Sequence, residues 1–430
     1  MHLETDVAIV GAGVAGLSAA QILTHHGLRS CVLEAADGIG GRVRTVRRAG
    51  WQLPIELGAE FVHGRPAPTL ALGHGAVNLV AVAEHRVLGG ARRHVLHDTW
   101  QRFADALEAA RSAPSSESIA AYLERARLSA EQQELVKMLV EGYHGARLED
   151  VSARVVAEDA ANTRSDFRQY RTAHGYDTVL SELEAGISKS HGSIRLGTRV
   201  KRVSWTTGKV ELGAEARGER LNVAARRCLV TASVGVLQAS PEEGGIAFDP
   251  LPAAFREALP LVAMGNALRV VLRFEQAPWL ECEPGIEATF IHVLGARFAT
   301  LWREARAGQV QITAWAGGPD AQAASELADS ALVDAALEAF SQATQSDLGN
   351  CRRSLIEAHF HDFNRDPLTR GAYSYVRPGG QNAPQVLADP WDDTVFFAGE
   401  ALDLQYPATV AGALGSGQHA ARKLLATWAG

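Results

Sequence analysis

The run Asp6-Val7-Ala8-Ile9-Val10-Gly11-Ala12-Gly13-Val14-Ala15-Gly16-Leu17 constrains the fold of this chain more than any other stretch. Val7, Ile9 and Val10 read as a buried strand, which Gly11 interrupts. Ala15, Leu17, Ala19, Ala20, Ile22 and Leu23 continue as a helix toward Gly27, a usual helix-stop residue. The turn between them carries G-x-G-x-x-G. In that pattern Gly11 allows the tight turn, Gly13 lets a pyrophosphate approach the backbone, and Gly16 lets helix and strand pack closely. Three glycines alone are a weak signal, so the context decides. Ser30-Cys31-Val32-Leu33 reads as a second strand, and Glu34 ends it, roughly 20 residues on, where an acidic side chain meets a ribose 2′-hydroxyl. The spacing predicts a dinucleotide-binding β-α-β unit. A carboxylate there would repel a 2′-phosphate, which disfavours NADP.

At 430 residues the chain exceeds what one compact core usually organises, so two domains are expected. A net charge of −7 gives no electrostatic basis for nucleic-acid binding. No apolar run reaches the ~18 residues that span a bilayer, so no membrane segment is expected. The chain opens directly into its nucleotide strand, leaving no stretch for a signal peptide. Cys31, Cys228, Cys282 and Cys351 are scattered, with no C-x-x-C pair and no disulfide framework. These features predict a soluble, cytoplasmic protein. Nothing in the sequence speaks to its oligomeric state.

Beyond Glu34, Gly38-Ile39-Gly40-Gly41-Arg42 forms a glycine-rich turn in which Arg42 can pair with a phosphate. From about Leu70 to Arg168 the spacing is mostly helical, and Ser129 is a candidate N-cap for a helix over Ala130 to Gly142. Strand signals return at Ser193–Leu196, Arg199–Trp205, Lys209–Leu212 and Arg227–Thr231. The run Leu268–Phe274 alternates, placing Arg269, Val271 and Arg273 on one face. A helix is expected over Ala324 to Phe340. The chain closes with a strand into the turn Gly399-Glu400 and a helix from Ala411 to Trp428. His359 and His361 share one face of a possible strand, but without a neighbouring Cys or carboxylate cluster no metal site is expected.

Several separated blocks resemble the flavin-containing amine oxidase family, which includes monoamine oxidases, polyamine oxidases and flavin-dependent lysine demethylases. They are Val10 to Leu17, Glu34 to Thr45, Glu56 to Gly64, Thr231 to Leu237 (TASVGVL), Gly371 to Val376 (GAYSYV) and Phe397 to Ala420, the last containing YPATVAGALGSG. The resemblance runs the length of the chain and is strongest to the polyamine oxidase and demethylase branch. It implies an α/β, two-domain (α+β) architecture: a Rossmann-like FAD-binding domain with an inserted substrate domain of mixed sheet and helices. The expected boundaries are 1–75, 175–250 and 381–430 for the FAD-binding domain. The substrate domain would take 76–174, mostly helical, and 251–380, with sheet and helices.

The resemblance also implies FAD and oxidation of a C–N bond by hydride transfer to flavin N5. The partners it implies are a small amine or polyamine and oxygen, which would yield hydrogen peroxide. Gly11, Gly13, Gly16, Glu34 and Arg42 match positions that hold the ADP half, Val200 matches one whose backbone meets the adenine, and Ala35, Gly41, Gly58 and Ala59 are further cofactor-binding positions that the resemblance implies. Gly399, Glu400, Thr409 and Val410 match the turn and helix start beside the pyrophosphate, ribitol and flavin ring. Tyr373 matches an aromatic residue flanking the substrate, and Thr409 stands where the monoamine branch places a second one. His63 matches a substrate-contacting histidine, and as an ordinary imidazole it would titrate near neutrality. Ala372 replaces the cysteine that carries covalent flavin in the monoamine branch, so a non-covalent FAD is expected.

The pattern breaks at Arg269, which replaces a lysine that holds a water against the flavin. Arginine stays protonated and cannot act in that lysine's neutral form. Arg269 is therefore either a catalytic-site residue, with its charged tip at the flavin, or half of a structural ion pair. It also opens an alternative in which it binds a substrate carboxylate, giving an amino-acid oxidase, dehydrogenase or desaturase. A second alternative is a flavin-binding protein with little turnover.

Overall fold

The computed structural model describes residues 1–72, 79–82, 85–89, 92–96, 99–163, 169–274, 290–293, 295–306 and 308–428. Its first sheet grows from the opening strand, His2–Val10, which pairs in parallel with Ser30–Leu33 on one side and Glu219–Val230 on the other. Gly192–Arg195 extends the sheet beyond Ser30–Leu33, and Val395–Phe397 pairs in parallel with the end of Glu219–Val230. The remainder is an antiparallel meander of Thr198–Thr206, Lys209–Ala216 and Glu219–Val230, edged by Ala247–Asp249 in parallel with Thr198–Thr206. Side-chain alternation sends Val7, Ile9, Val32 and Leu229 into one core and Ala8, Val10, Cys31, Leu33, Cys228 and Val230 into another. Both faces are apolar because both are covered. The helices Val14–His25, Asp177–Ala185 and Val410–Ala426 pack together on the first face. The helices Val234–Gln238, Ala253–Ala258 and Ala383–Ala388 contribute to the second.

The second sheet runs in the order Leu355–Phe360, Ala267–Phe274, Gln309–Gly317, Thr300–Arg306, Phe290–Val293, His85–Gly89 and Arg92–Leu96. The alternation expected of Leu268–Phe274 is present. Leu268, Val270, Leu272 and Phe274 pack toward the helix Asp329–Thr344, with the Phe274 and Phe340 ring centroids 5.3 Å apart. Val271 packs on Ile55 and Leu57, and Arg269 and Arg273 are buried on that same side. A helical layer of Thr99–Leu107, Ile119–Arg125, Ala130–Gly142 and Ala153–Thr163 has its own core around Phe103, Tyr122, Val136 and Leu139. Ser129 caps its helix as expected: its Oγ accepts from Gln132 N, and Gln132 Oε1 accepts from Ser129 N.

Two expectations change. The stretch read as helical from about Leu70 opens instead with the strands Leu79–Val82, His85–Gly89 and Arg92–Leu96. The first and second of these pair with Gln169–Thr172 and Phe290–Val293, distant partners that no local periodicity reports. The helix expected over Ala324 to Phe340 is two helices, Gly318–Ser325 and Asp329–Thr344. Cys282 and Arg168 lie outside the described residues.

Candidate active site

One cavity of about 1290 Å³ begins at the glycine turn of the first sheet and ends against the second sheet. Gly11 has φ +104°, a conformation L side chains avoid, and turns the chain out of the strand. A Cβ on Gly16 would lie 2.0 Å from Gly11 O, so only glycine lets the helix sit this close to the turn. A Cβ on Gly13 would meet no protein atom within 4 Å. Gly13 is also the N-cap of Val14–His25 and supplies no capping side chain, so free N–H groups stand at the cavity rim. That combination of open space and uncapped helix end suits a pyrophosphate.

Glu34 closes this end. Its Oε2 accepts from Ala12 N at 2.7 Å and its Oε1 from Ala36 N at 2.8 Å, which fixes the carboxylate beside the glycine turn. Burial pushes its pKa up, and the backbone hydrogen bonds oppose that shift. Ala35 and Val200 line the same end. Gly41 packs against Gly13 Cα, and Gly58 is so close to Arg42 O that a Cβ would lie 1.9 Å from it. Ala59 N donates to Arg42 O at 3.0 Å. Arg42 Nη1 donates to Glu400 Oε1 at 2.7 Å and to Ala372 O at 3.0 Å, so its charge is partly engaged within the protein. Glu400 also accepts from Ser374 Oγ at 2.6 Å. Gly399 N donates to Ser416 Oγ, tying the turn to the closing helix. Thr409 caps that helix, accepting from Gly412 N at 3.0 Å and donating to Tyr406 O at 2.7 Å. Thr409 and Val410 line the cavity.

The far end is aromatic. Tyr373, held by strand pairing with Gly265, donates its hydroxyl to Tyr143 O at 2.7 Å, which fixes the ring. Tyr143 stacks edge-on against His63, His144 and Trp100, with ring centroids 5.4, 5.2 and 4.6 Å away. Trp302, Trp315, Phe61 and Phe290 complete this wall. Burial lowers the pKa of His63 to about 4 and that of His144 to about 4. Both imidazoles are therefore neutral at neutral pH, which corrects the expectation that His63 titrates there. Asp159 lines the same chamber, its pKa raised to about 6 by burial.

Arg269 also lines the cavity, only 4% exposed. Its Nη1 donates to Glu60 Oε2 and to Glu56 O, both at 2.9 Å, and its guanidinium lies over the Trp302 and Trp315 rings. Glu60 is the centre of this wall. Its Oε1 lies 2.6 Å from Arg171 Nε and accepts from Trp302 Nε1 at 3.0 Å. The ion-pair reading of Arg269 is thus present without taking the residue out of the cavity wall.

All the candidate cofactor-binding and catalytic residues line this one cavity except Gly16, whose place is in the helix–strand contact. Glu60, Arg171, Trp302, Trp315, Tyr143 and His144 were not singled out. Glu60 was visible between Gly58 and Phe61, inside a block already noted, but its partners lie on strands far away in the chain. His361 Nε2 lies 2.8 Å from Asp366 Oδ2 and His359 Nε2 lies 3.0 Å from Glu357 Oε2, so each imidazole has its own carboxylate.

The family model of flavin containing amine oxidoreductases matches residues 14–425. A rice protein named lysine-specific histone demethylase 1 homolog 2 is 28% identical, over 99% of this chain and 57% of its own length. The chain thus spans little more than half of that relative. Rice polyamine oxidase 1 is 27% identical, over 99% of this chain and 98% of its own length. Among solved structures, a redesigned putrescine oxidase superposes with a TM-score of 0.82 at 19% identity, covering 99% of this chain and 100% of that one, a likeness of fold. A dinucleotide cleft in a flavin-containing family makes the cofactor FAD, and the open Gly13, the uncapped helix and Glu34 fit its ADP half. The chain belongs to the flavin-containing amine oxidoreductase family and is an FAD-dependent oxidoreductase.

Proposed function

We propose that the chain oxidises a C–N bond of a small amine or polyamine, with oxygen as the acceptor and hydrogen peroxide as a product. The observation that carries this reading is the continuity of the cavity, from the pyrophosphate-ready turn at Gly13 to the aromatic chamber at Tyr373. FAD, when bound, supplies the hydride acceptor. The protein's part is to bind and orient. Tyr373 offers a fixed ring face to an amine, an attraction of about 0.5–2 kcal/mol for a cation. His63 and His144, neutral at working pH, add surface without repelling an ammonium. The Trp and Phe side chains of the wall exclude water. Thr409 orders the closing helix whose N-terminus meets the cavity.

Two observations support a non-covalent flavin: Ala372 lines the cavity, and no described cysteine does. A polyamine substrate is supported by the polyamine oxidase among the relatives. The reading in which Arg269 receives a substrate carboxylate is less well supported, because its Nη1 is already given to Glu60 and Glu56 O. No helix among the described residues is long and apolar enough to cross a membrane. We place the enzyme in the cytoplasm, consistent with the unpaired buried cysteines among the described residues.

Anaerobic mixing of the holoenzyme with a panel of monoamines, diamines and acetylated polyamines tests the assignment. Bleaching of the flavin by at least one amine, followed by peroxide on admitting oxygen, is expected. Bleaching by amino acids alone would move the assignment to the carboxylate reading. No bleaching by any compound would favour a flavin-binding protein with little turnover.

A further inference from the structure

The wall opposite the cofactor end contains two buried guanidinium groups and one carboxylate shared between them. Arg269 faces the cavity, while Arg171 stands behind Glu60 and outside the cavity lining. Glu60 receives Arg269 Nη1 on Oε2 at 2.9 Å, approaches Arg171 Nε with Oε1 at 2.6 Å, and accepts from Trp302 Nε1. All three ionic side chains are largely buried. Charges so placed are poorly screened by salt, and an unpaired one would be costly. Beyond these contacts, Arg269 Nε and Arg171 Nη2 have no hydrogen-bond partner. One carboxylate therefore faces two guanidinium groups whose donors are only partly satisfied. Glu304, near Arg171 and hydrogen-bonded to Gln311, is the next carboxylate in line.

Glu60 also joins two parts of the site. Gly58 and Ala59, immediately before it, line the cofactor end and contact Arg42. Phe61, Val62 and His63, immediately after it, line the aromatic chamber as a strand paired with Arg171 through Phe61. The carboxylate is thus fixed from both sides, and it fixes Arg269 between Trp302 and Trp315.

We infer that Glu60 is the positioning and charge-setting residue of this active site: it anchors Arg269 in the cavity wall and cancels one of the two guanidinium charges that it lies between. A ligand then meets one positive charge fewer than two buried arginines would present. The inference rests on the amine reading only for the identity of the cationic ligand. Removing Glu60's charge makes the wall more positive by one, and removing either arginine's makes it less positive by one. At an effective dielectric of about 20, a unit charge across roughly 10 Å changes an ion's affinity by about tenfold.

The test uses the FAD-loaded enzyme and two probes of opposite charge. Sulfite, an anion that reversibly bleaches oxidised flavin, is titrated spectroscopically. The cationic probe is the amine that reduces the flavin in the panel above, read as its apparent Kd in anaerobic reduction. Glu60→Gln should bind sulfite about tenfold more tightly and the amine about tenfold more weakly. Arg269→Met should shift both in the opposite sense. The double variant, E60Q with R269M, should return both to within about threefold of wild type. Arg171→Met removes a charge outside the cavity lining and should follow Arg269→Met, which keeps the test decisive even if Glu60→Gln does not hold FAD. A merely structural Glu60 would weaken both probes together, and the double variant would lose at least as much as either single one. Either result overturns the inference, as would unchanged affinities in Arg171→Met. Sulfite reports on the wall charge whether or not an amine reduces the flavin, so failure of the amine panel alone would sink the amine reading and leave the charge result standing.

Discussion

Glu56 is a buried carboxyl whose pKa is raised to about 8, chiefly by burial, although Thr45 Oγ1 and Tyr176 N donate to it. Its ordinary value is 4.5, so between about 4.5 and 8 the folded protein keeps a proton that the unfolded chain releases. This contribution to stability is fully present below 4.5, declines as pH rises, and is gone above about 8. At 1.36 kcal/mol per pKa unit the decline is on the order of a few kcal/mol. Glutamine mimics the protonated side chain. Glu56→Gln should therefore have a higher Tm than wild type at pH 8 and a similar one at pH 4.5; parallel Tm-against-pH curves would refute this. His63 leads to a second expectation. With its pKa lowered to about 4, it does not change charge between pH 6 and 8. His63→Ala can then weaken amine binding, but the shape of the pH profile of flavin reduction in that interval should stay that of wild type. A transition near pH 6.5 that disappears in the variant would return the imidazole to its ordinary range.

The opening strand, turn and helix were legible from sequence because each requirement is local: period two, then glycine, then period 3.6. The same holds for the Ser129 cap and the closing helix Val410–Ala426. The strands at 79–96 were not legible, because their pairing with residues 169–172 and 290–293 is what makes them strands. Glu60's role was hidden for the same reason, since Arg171, Arg269 and Trp302 reach it from three separate strands. The glycine turn allows a prediction that separates fold from ligand. Gly13 has φ −73° and open space at its Cβ position, so Gly13→Ala should leave the stability of the FAD-free protein within about 1 kcal/mol of wild type while weakening FAD retention. Gly16→Ala puts a Cβ 2.0 Å from Gly11 O and should destabilise the FAD-free protein by about 1–3 kcal/mol. Thermal melts and FAD content of the two variants check this: equal Tm losses would mean that the turn has no distinct ligand face.

At the scale of the whole molecule, the cavity separates the dinucleotide turn of one sheet from the Arg269 strand of the other. FAD would then contact segments far apart in the chain, including Gly13, Glu34, Arg42, Gly58, Val200 and Gly399. A ligand that binds the folded state alone adds stability as RT ln(1 + [L]/Kd), about 4 kcal/mol at a thousandfold excess over Kd. Removing FAD should consequently lower Tm, and adding it back should raise Tm with the logarithm of free FAD. Glu34→Ala breaks the carboxylate's fixed contact with the turn and leaves Ala12 N and Ala36 N without their acceptor. A lost charge-assisted hydrogen bond costs about 1.5–3 kcal/mol, so the variant should need roughly 10- to 150-fold more FAD to reach the same Tm. Because the flavin is held without a covalent bond in this reading, acid denaturation and filtration should release all of it. Flavin retained on the polypeptide would refute the non-covalent assignment, and a Tm indifferent to FAD would place the cofactor somewhere other than this cavity.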